Sequence, residues 1–64
     1  MIYTMTFKNN IGGYIEFDVS ADSEEKAREI AFNEMLNEGF SLSEFDSDGY
    51  SLRFVEEKEW SQFN

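Results

Sequence analysis

The sequence predicts an α+β domain in which an antiparallel sheet of three to four strands carries one helix packed across one face, in the order ββαββ. Three observations lead to this prediction. Apolar and polar residues alternate in the N-terminal third, a helix-start pattern follows, and the alternation returns near the C-terminus. A chain of 64 residues has room for one small domain, so residues 1–64 are expected to fold as a single unit.

The first two strands are predicted from period-two patterns on either side of a turn. In MIYTMTFK, the side chains of Tyr3, Met5 and Phe7 fall on one face, with polar neighbours on the other. IGGYIEFDV repeats the alternation. Between these segments, NNIGG contains Asn and Gly, which tolerate the positive φ of a tight turn. A β-hairpin is therefore expected here.

The stretch SADSEEKA has the features of a helix start. Asp22 is the predicted N-cap, and Glu25 three residues later completes a capping-box-like pair. Acids in the first turn also interact favourably with the helix dipole. The helix is expected to run to about Glu38, with Gly39 in the left-handed conformation that commonly ends a helix.

The C-terminal part contains the remaining predicted strands. FSLSEF is expected to form a short strand, and DSDG a turn. In YSLRFVEE, we expect Tyr50, Leu52 and Phe54 on the apolar side of the last strand. The final segment, KEWSQFN, carries Trp60 and Phe63.

The predicted helix has apolar side chains on two sides. At 100° per residue, Ile30, Ala31 and Met35 form a stripe that suits the sheet, whereas Phe32 and Leu36 lie outside it. Three interpretations are open. The tail or an enlarged core buries these two side chains, a second copy of the chain covers them in a homodimer, or they form a patch for another protein.

Composition argues against several classes of chemistry. The chain has neither Cys nor His, so disulfides, thiolate ligands and imidazole catalysis are excluded. NNIGG lacks the Lys and the spacing of a phosphate-binding loop. A domain with one helix on one sheet has little volume for a cleft that would shift the pKa of a catalytic carboxylate. We therefore expect no enzyme, no catalytic residue and no cofactor.

The stretch EFDSDGYSLRFVEE has some features of a calcium-binding loop. Its acids and Gly49 match the first half of such a loop. The twelfth position, where a bidentate Glu is required, is Val55, and a strand is expected where the exiting helix should be. An Asp-rich turn explains the pattern better, so no metal site is expected.

Charge is the most informative property of the chain. The net charge is −9, and residues 22–48 carry nine acids against two bases. Such a field repels nucleic acid and phospholipid surfaces and attracts basic proteins. We therefore expect neither direct nucleic-acid binding nor membrane binding. The N-terminus also lacks the pattern of a signal peptide.

Two groups of acids are candidate contacts for a basic partner. They are Asp22, Glu25 and Glu29 on the outer side of the helix, and Glu44, Asp46 and Asp48 around the turn. Helix neighbours at i and i+4 stand about 6 Å apart, which is similar to the spacing of phosphates along a nucleic-acid strand. Such an array could occupy the basic cleft of a nucleic-acid-handling protein. The alternative is that the acids only keep a small domain soluble.

The segment FDVSADSEEKAREIA is similar to the strand-to-helix junction of many short strand-strand-helix-strand proteins of phages and mobile elements. The shared positions are Asp22, Ser23, Glu24, Glu25 and Ala27. Small size and acidity also resemble anti-CRISPR and anti-restriction proteins, which block host nuclease complexes by binding them. The resemblance implies an inhibitor of a CRISPR or restriction nuclease that acts in the cytoplasm of a bacterial host. No functional residue is transferred by it.

A second functional hypothesis belongs to a different class. The chain would be a small structural or accessory interaction module, and the apolar patch of Phe32 and Leu36 would make its contact. That contact would join two copies in a homodimer or dock the chain on a larger complex.

Overall fold

The computed structural model describes residues 1–58, which form a three-stranded antiparallel sheet and one helix. The elements in chain order are β1 (Ile2–Lys8), β2 (Tyr14–Ser20), α1 (Glu24–Asn37) and β3 (Ser51–Lys58). The strand order is β2-β1-β3, with both pairings antiparallel. The predicted α+β class is confirmed.

The predicted hairpin is confirmed, and its turn is organised by one asparagine. The Asn9 side-chain oxygen accepts hydrogen bonds from the amides of Ile11 at 3.2 Å and Gly13 at 2.6 Å. The Asn9 amide in turn donates to the Gly13 carbonyl at 3.0 Å. Gly12 has a φ of 93°, which a residue with a side chain rarely adopts. NNIGG thus closes the turn through local hydrogen bonds.

The core lies between α1 and the face of the sheet that α1 covers. Its buried members are Tyr3, Met5, Phe7, Val19, Ala27, Ala31 and Met35. The helix packs chiefly on β1 and β2, and the two alanines let its backbone approach the sheet closely. The Phe7 ring stacks on Phe17 at 5.8 Å and meets the Phe32 ring edge-on at 5.7 Å. Phe32 therefore belongs partly to an enlarged core.

The helix N-cap differs from the prediction. Ser23, and not Asp22, is the N-cap, and its hydroxyl accepts a hydrogen bond from the Lys26 amide at 3.2 Å. Ser23 has the extended backbone of a cap residue, and Asp22 lies one position further out. The predicted helix end is confirmed, because Gly39 has a φ of 89° directly after the C-cap Glu38.

The Ser23→Ala variant is expected to lose about 1 kcal/mol of unfolding free energy. The reason is that the Lys26 amide, in the first turn of the helix, loses the hydroxyl to which it donates. Asp22→Ala should cost less, because Asp22 affects the helix only through its charge. Urea titrations followed by far-ultraviolet circular dichroism would compare the two variants. A larger loss for Asp22→Ala would contradict the cap assignment.

The short strand predicted in FSLSEF is wrong. Residues 40–50 instead form a loop in which Leu42 and Tyr50 make a single parallel bridge. The Ser43 hydroxyl accepts from the amides of Phe45 at 3.2 Å and Asp46 at 3.3 Å, which turns the chain out of an extended path. The described elements therefore follow the order ββαβ and not ββαββ.

The predicted apolar side of the last strand is also partly wrong. The pairing of β1 with β3 shifts register between Thr6 and Phe7, so that Thr6 faces Phe54 and Phe7 faces Leu52. The extra residue is Arg53, and this bulge reverses the alternation beyond it. Val55 then packs toward the core, whereas Phe54 lies on the opposite face with 66% of its surface exposed.

The pKa of Tyr3 is raised above its ordinary value of 10.0, first by burial and then by the negative charges of Glu57 and Glu24. The folded state therefore holds this proton more tightly than the unfolded chain. The resulting stability is present below pH 10 and is lost as the pH rises above 10 through the folded-state value. Tyr3→Phe should remove this loss, as measured by urea unfolding at pH 8 and at increasing alkaline pH. Equal alkaline losses in both proteins would contradict the assignment.

Candidate interaction surface

The face of the sheet opposite α1 carries a row of acids around a threonine centre. On this face, Thr4 and Thr6 of β1 lie between the two outer strands. Asp18 stands opposite Thr4, and Glu16 stands opposite Thr6. On the other side, Glu56 is the partner of Thr4. We call Glu16, Asp18 and Glu56 the acidic sheet face; Lys58 lies on the same face, 3.8 Å from Asp18.

Buried hydroxyl groups hold two of these carboxylates in place. The Thr4 Oγ1 donates to Asp18 Oδ1 at 2.7 Å, and the Thr6 Oγ1 donates to Glu16 Oε2 at 3.4 Å. The threonines are only 5% and 8% exposed, so their hydroxyls are shielded from competing water. Side chains that are already oriented lose less conformational entropy when a partner binds them. The Asp18 carboxylate is thus pre-organised for recognition, and the longer contact to Glu16 is weaker.

Phe54 adds an apolar group to the same face. A shallow depression of about 330 Å³ is lined by Thr4, Thr6, Glu16, Phe54, Val55 and Glu56. A phenyl ring beside carboxylates suits a Lys or Arg side chain, whose aliphatic stem packs on the ring while its charge meets the acids. The sequence predicted Phe54 on the other, apolar side of the last strand. A sequence feature that indicates the bulge is the spacing of the apolar residues Leu52 and Val55. They are three residues apart, and a regular strand cannot place two such residues on one face.

The predicted helix acids are exposed but are interleaved with bases. Asp22, Glu25 and Glu29 all lie at the surface. The Lys26 Nζ lies 3.6 Å from Glu29 Oε1 across one turn. Next to them, the Arg28 Nη2 donates to Glu24 Oε2 at 2.8 Å. This side of α1 is therefore less negative than its acid content suggests.

The predicted turn acids, Glu44, Asp46 and Asp48, lie exposed in the 40–50 loop. This loop is fastened to the hairpin turn, because the Asn10 side-chain amide donates to the Asp46 carbonyl at 3.1 Å. A Cβ on Gly49 would lie 2.6 Å from the Ser43 carbonyl oxygen, so the loop closes only around glycine. The acids are therefore carried on a backbone with fixed attachments.

The structure does not bring the two predicted acid groups together. The Ala21 amide donates to the Met1 carbonyl at 3.0 Å, which places the start of α1 beside the start of β1. The 40–50 loop is bonded to Asn10, beyond the other end of β1. A strand of this length spans roughly 20 Å at 3.3 Å per residue. The start of α1 and the attachment of the loop at Asn10 thus lie at opposite ends of the sheet, although Glu44 lines the same groove as Glu24 in the first turn of α1.

The predicted apolar patch of Phe32 and Leu36 is divided. Phe32, 36% exposed, lines a groove of about 550 Å³ that runs between α1 and β3. Leu36, 58% exposed, is not among the residues that line this groove. Leu42 and Leu52 contribute further apolar surface to the groove. The proposed cover of Phe32 and Leu36 by the tail with Trp60 and Phe63 lies outside the described residues.

Residues 1–58 contain neither a candidate metal site nor a helix that could span a membrane. No group of three or more acidic side chains in this range could hold a metal ion. No helix in the same range is both long and apolar enough to cross a membrane. Comparisons of the chain with family models, curated protein sequences and solved structures each give no match.

Proposed function

We propose that this chain is a non-enzymatic binding protein that inhibits a bacterial defence nuclease of the CRISPR or restriction kind. Its partner surface would be a basic cleft that otherwise holds nucleic acid. The observation that carries the proposal is the acidic sheet face, on which Asp18 and Glu16 accept hydrogen bonds from the buried Thr4 and Thr6 hydroxyls. A rigid acidic surface can replace phosphates in such a cleft without contacting nucleic acid itself.

The spacing of the carboxylates supports this proposal. Glu16 and Asp18 are two residues apart on β2, so their Cα atoms are about 6.6 Å apart along the strand. This is similar to the spacing of phosphates along a nucleic-acid strand. Lys58 lies 3.8 Å from Asp18, but both side chains are about half exposed, so the pair is weak and a stronger cation can displace it. The net charge of −9 would also speed the approach to a basic partner.

The alternative function, a structural or accessory module, rests on the exposed side chain of Leu36 beside Phe32. Its contact would be apolar, and its partner would be a second copy or a larger complex. Two copies would each bring a charge of −9, and this repulsion opposes a homodimer. Light scattering on the purified chain would show a mass that falls on dilution if the homodimer forms.

A pull-down tests the proposed function. The tagged chain would capture partners from a bacterial lysate that contains CRISPR and restriction complexes, with elution by increasing salt. We expect a basic nuclease that elutes as the salt concentration rises and is displaced by added DNA or guide RNA, because screening weakens exposed charge pairs. A partner that resists both salt and nucleic acid would contradict acidic mimicry and favour the apolar alternative.

A further inference from the structure

We infer that the outer edge of β3 and the groove beside it bind one extended, basic segment of a partner protein, which adds a fourth strand to the sheet. This inference goes beyond the proposed function. It concerns the α1 side of the sheet, whereas the acidic sheet face lies on the opposite side. Glu56 belongs to both surfaces, so the two proposals are told apart by readouts that the acidic sheet face does not share, namely the β3 backbone amides and Phe32.

The backbone of β3 provides the first half of the site. Within residues 1–58, β1 is the only strand paired with β3; the 40–50 loop bridges Tyr50 just before β3 through Leu42, and the edge of β3 beyond this bridge is open. An edge strand offers amide and carbonyl groups that an incoming strand can pair with. The other edge is β2, but the groove lies beside β3. A strand added at β3 would therefore gain both backbone hydrogen bonds and side-chain burial.

The groove provides the second half of the site. Leu52 and Val55 are partly buried at its floor, and Phe32 of α1 and Leu42 of the loop form its walls. Because α1 packs chiefly on β1 and β2, the core side of β3 is left open. Alternate side chains of a strand point to the same face. Every second side chain of an added strand would thus enter the groove, which favours apolar residues at those positions.

Charge selects the side chains of this segment that point away from the groove. The groove itself is lined by two acids, Glu24 and Glu44, and by two bases, Arg28 and Arg53, so its charges balance in number, and Arg28 pairs with Glu24 at 2.8 Å. Recognition inside the groove is therefore apolar. On the opposite face of β3 lies Glu56, and the chain as a whole carries −9. A segment that alternates apolar with basic residues meets both requirements, whereas a second copy of this chain brings the wrong charge.

A synthetic peptide tests the inference directly. The probe is a seven-residue peptide in which valine alternates with lysine, added to the ¹⁵N-labelled full chain. We expect chemical-shift changes along β3 and at Phe32, together with slower hydrogen exchange of β3 amides. Successive amides of an extended peptide point to opposite edges, so one alternate set faces β3 and the other faces away from it. Two N-methylated peptides serve as controls, one for each set. The peptide methylated on the amides that face β3 should bind at least about tenfold more weakly, and the peptide methylated on the other amides should bind like the parent.

Two matched variants locate the contact. Phe32→Ala should weaken peptide binding by about tenfold or more, whereas Leu36→Ala, one turn along α1 and outside the groove, should leave it unchanged. If Phe32→Ala fails to fold, the two N-methylated peptides still decide the question.

Four outcomes would overturn the inference. Both methylated peptides could bind as well as the parent, or the shift changes could fall on Glu16 and Asp18. The free chain could dimerise through β3, which would make a second copy the occupant. A nuclear Overhauser effect between the Trp60 indole and the Phe32 ring in the free chain would show that the chain's own C-terminal segment occupies the groove.

Discussion

Neutralising the acidic sheet face with Glu16→Gln, Asp18→Asn and Glu56→Gln together is expected to weaken binding to a basic partner about 100-fold at low salt. The reason is the loss of three negative charges, two of which accept hydrogen bonds from Thr4 and Thr6, worth roughly 1 kcal/mol each for exposed charge pairs, where 1.4 kcal/mol corresponds to a tenfold change. The amides keep a carbonyl oxygen for the Thr4 and Thr6 hydroxyls, so the fold should be retained. Surface plasmon resonance against the captured nuclease would measure the loss.

Two further triplets are matched controls, because each also changes the net charge from −9 to −6 by removing three acids. One neutralises the helix group and the other neutralises the turn group, as Asp22→Asn with Glu25→Gln and Glu29→Gln, and Glu44→Gln with Asp46→Asn and Asp48→Asn. Both should lose less than about tenfold, since only long-range attraction is weakened. Equal losses in all three triplets would show that total charge, and not the acidic sheet face, determines binding.

Phe7→Ala is expected to leave the chain largely unfolded at 25 °C. Phe7 is fully buried and packs against the rings of Phe17 and Phe32. Removing a buried phenyl ring costs about 3–5 kcal/mol, while a domain of this size has a total unfolding free energy of about 3–10 kcal/mol. Circular dichroism and a urea titration would measure the effect.

Phe45→Ala is the control for this substitution. The Phe45 side chain is 91% exposed, so its removal should change the unfolding free energy by no more than about 0.5 kcal/mol. A Phe7→Ala protein with an unchanged urea midpoint would contradict the packing described around β1.

The elements that depend on local chemistry could be predicted from the sequence. The hairpin followed from alternating side chains around NNIGG, and the helix end from Gly39, whose φ of 89° few other residues adopt. The N-cap was misplaced by one residue because Asp22 and Ser23 are both good cap residues. Sequence alone does not decide which of two adjacent acceptors reaches the amide.

The elements that depend on long-range pairing could not be predicted in the same way. The bulge at Arg53 arises where β3 pairs with β1, and it places Phe54 on the opposite face from the one expected. The strand predicted in FSLSEF is replaced by a loop that bonds to Asn10 of the hairpin turn through Asp46 and Ser47. Such contacts are set by parts of the chain that are distant in sequence.

The candidate site was only partly visible in the sequence. The acidity and the exposed position of the predicted acids are correct, but they lie in two separated groups. The acidic sheet face depends on cross-strand register, which sets Thr4 beside Asp18 and Thr6 beside Glu16. Register is fixed by the whole sheet, so the oriented carboxylates emerge only once the strands are paired.

The most direct test of the account is a competition titration on the captured nuclease with labelled DNA or guide RNA already bound. If the chain occupies the nucleic-acid cleft, added chain displaces the nucleic acid. The concentration of chain needed for this displacement then rises in proportion to the nucleic-acid concentration. The triplet that lacks the acidic sheet face should displace it only at about 100-fold higher concentration, for the same three charges at roughly 1 kcal/mol each. A stable ternary complex of nuclease, nucleic acid and this chain would contradict the account.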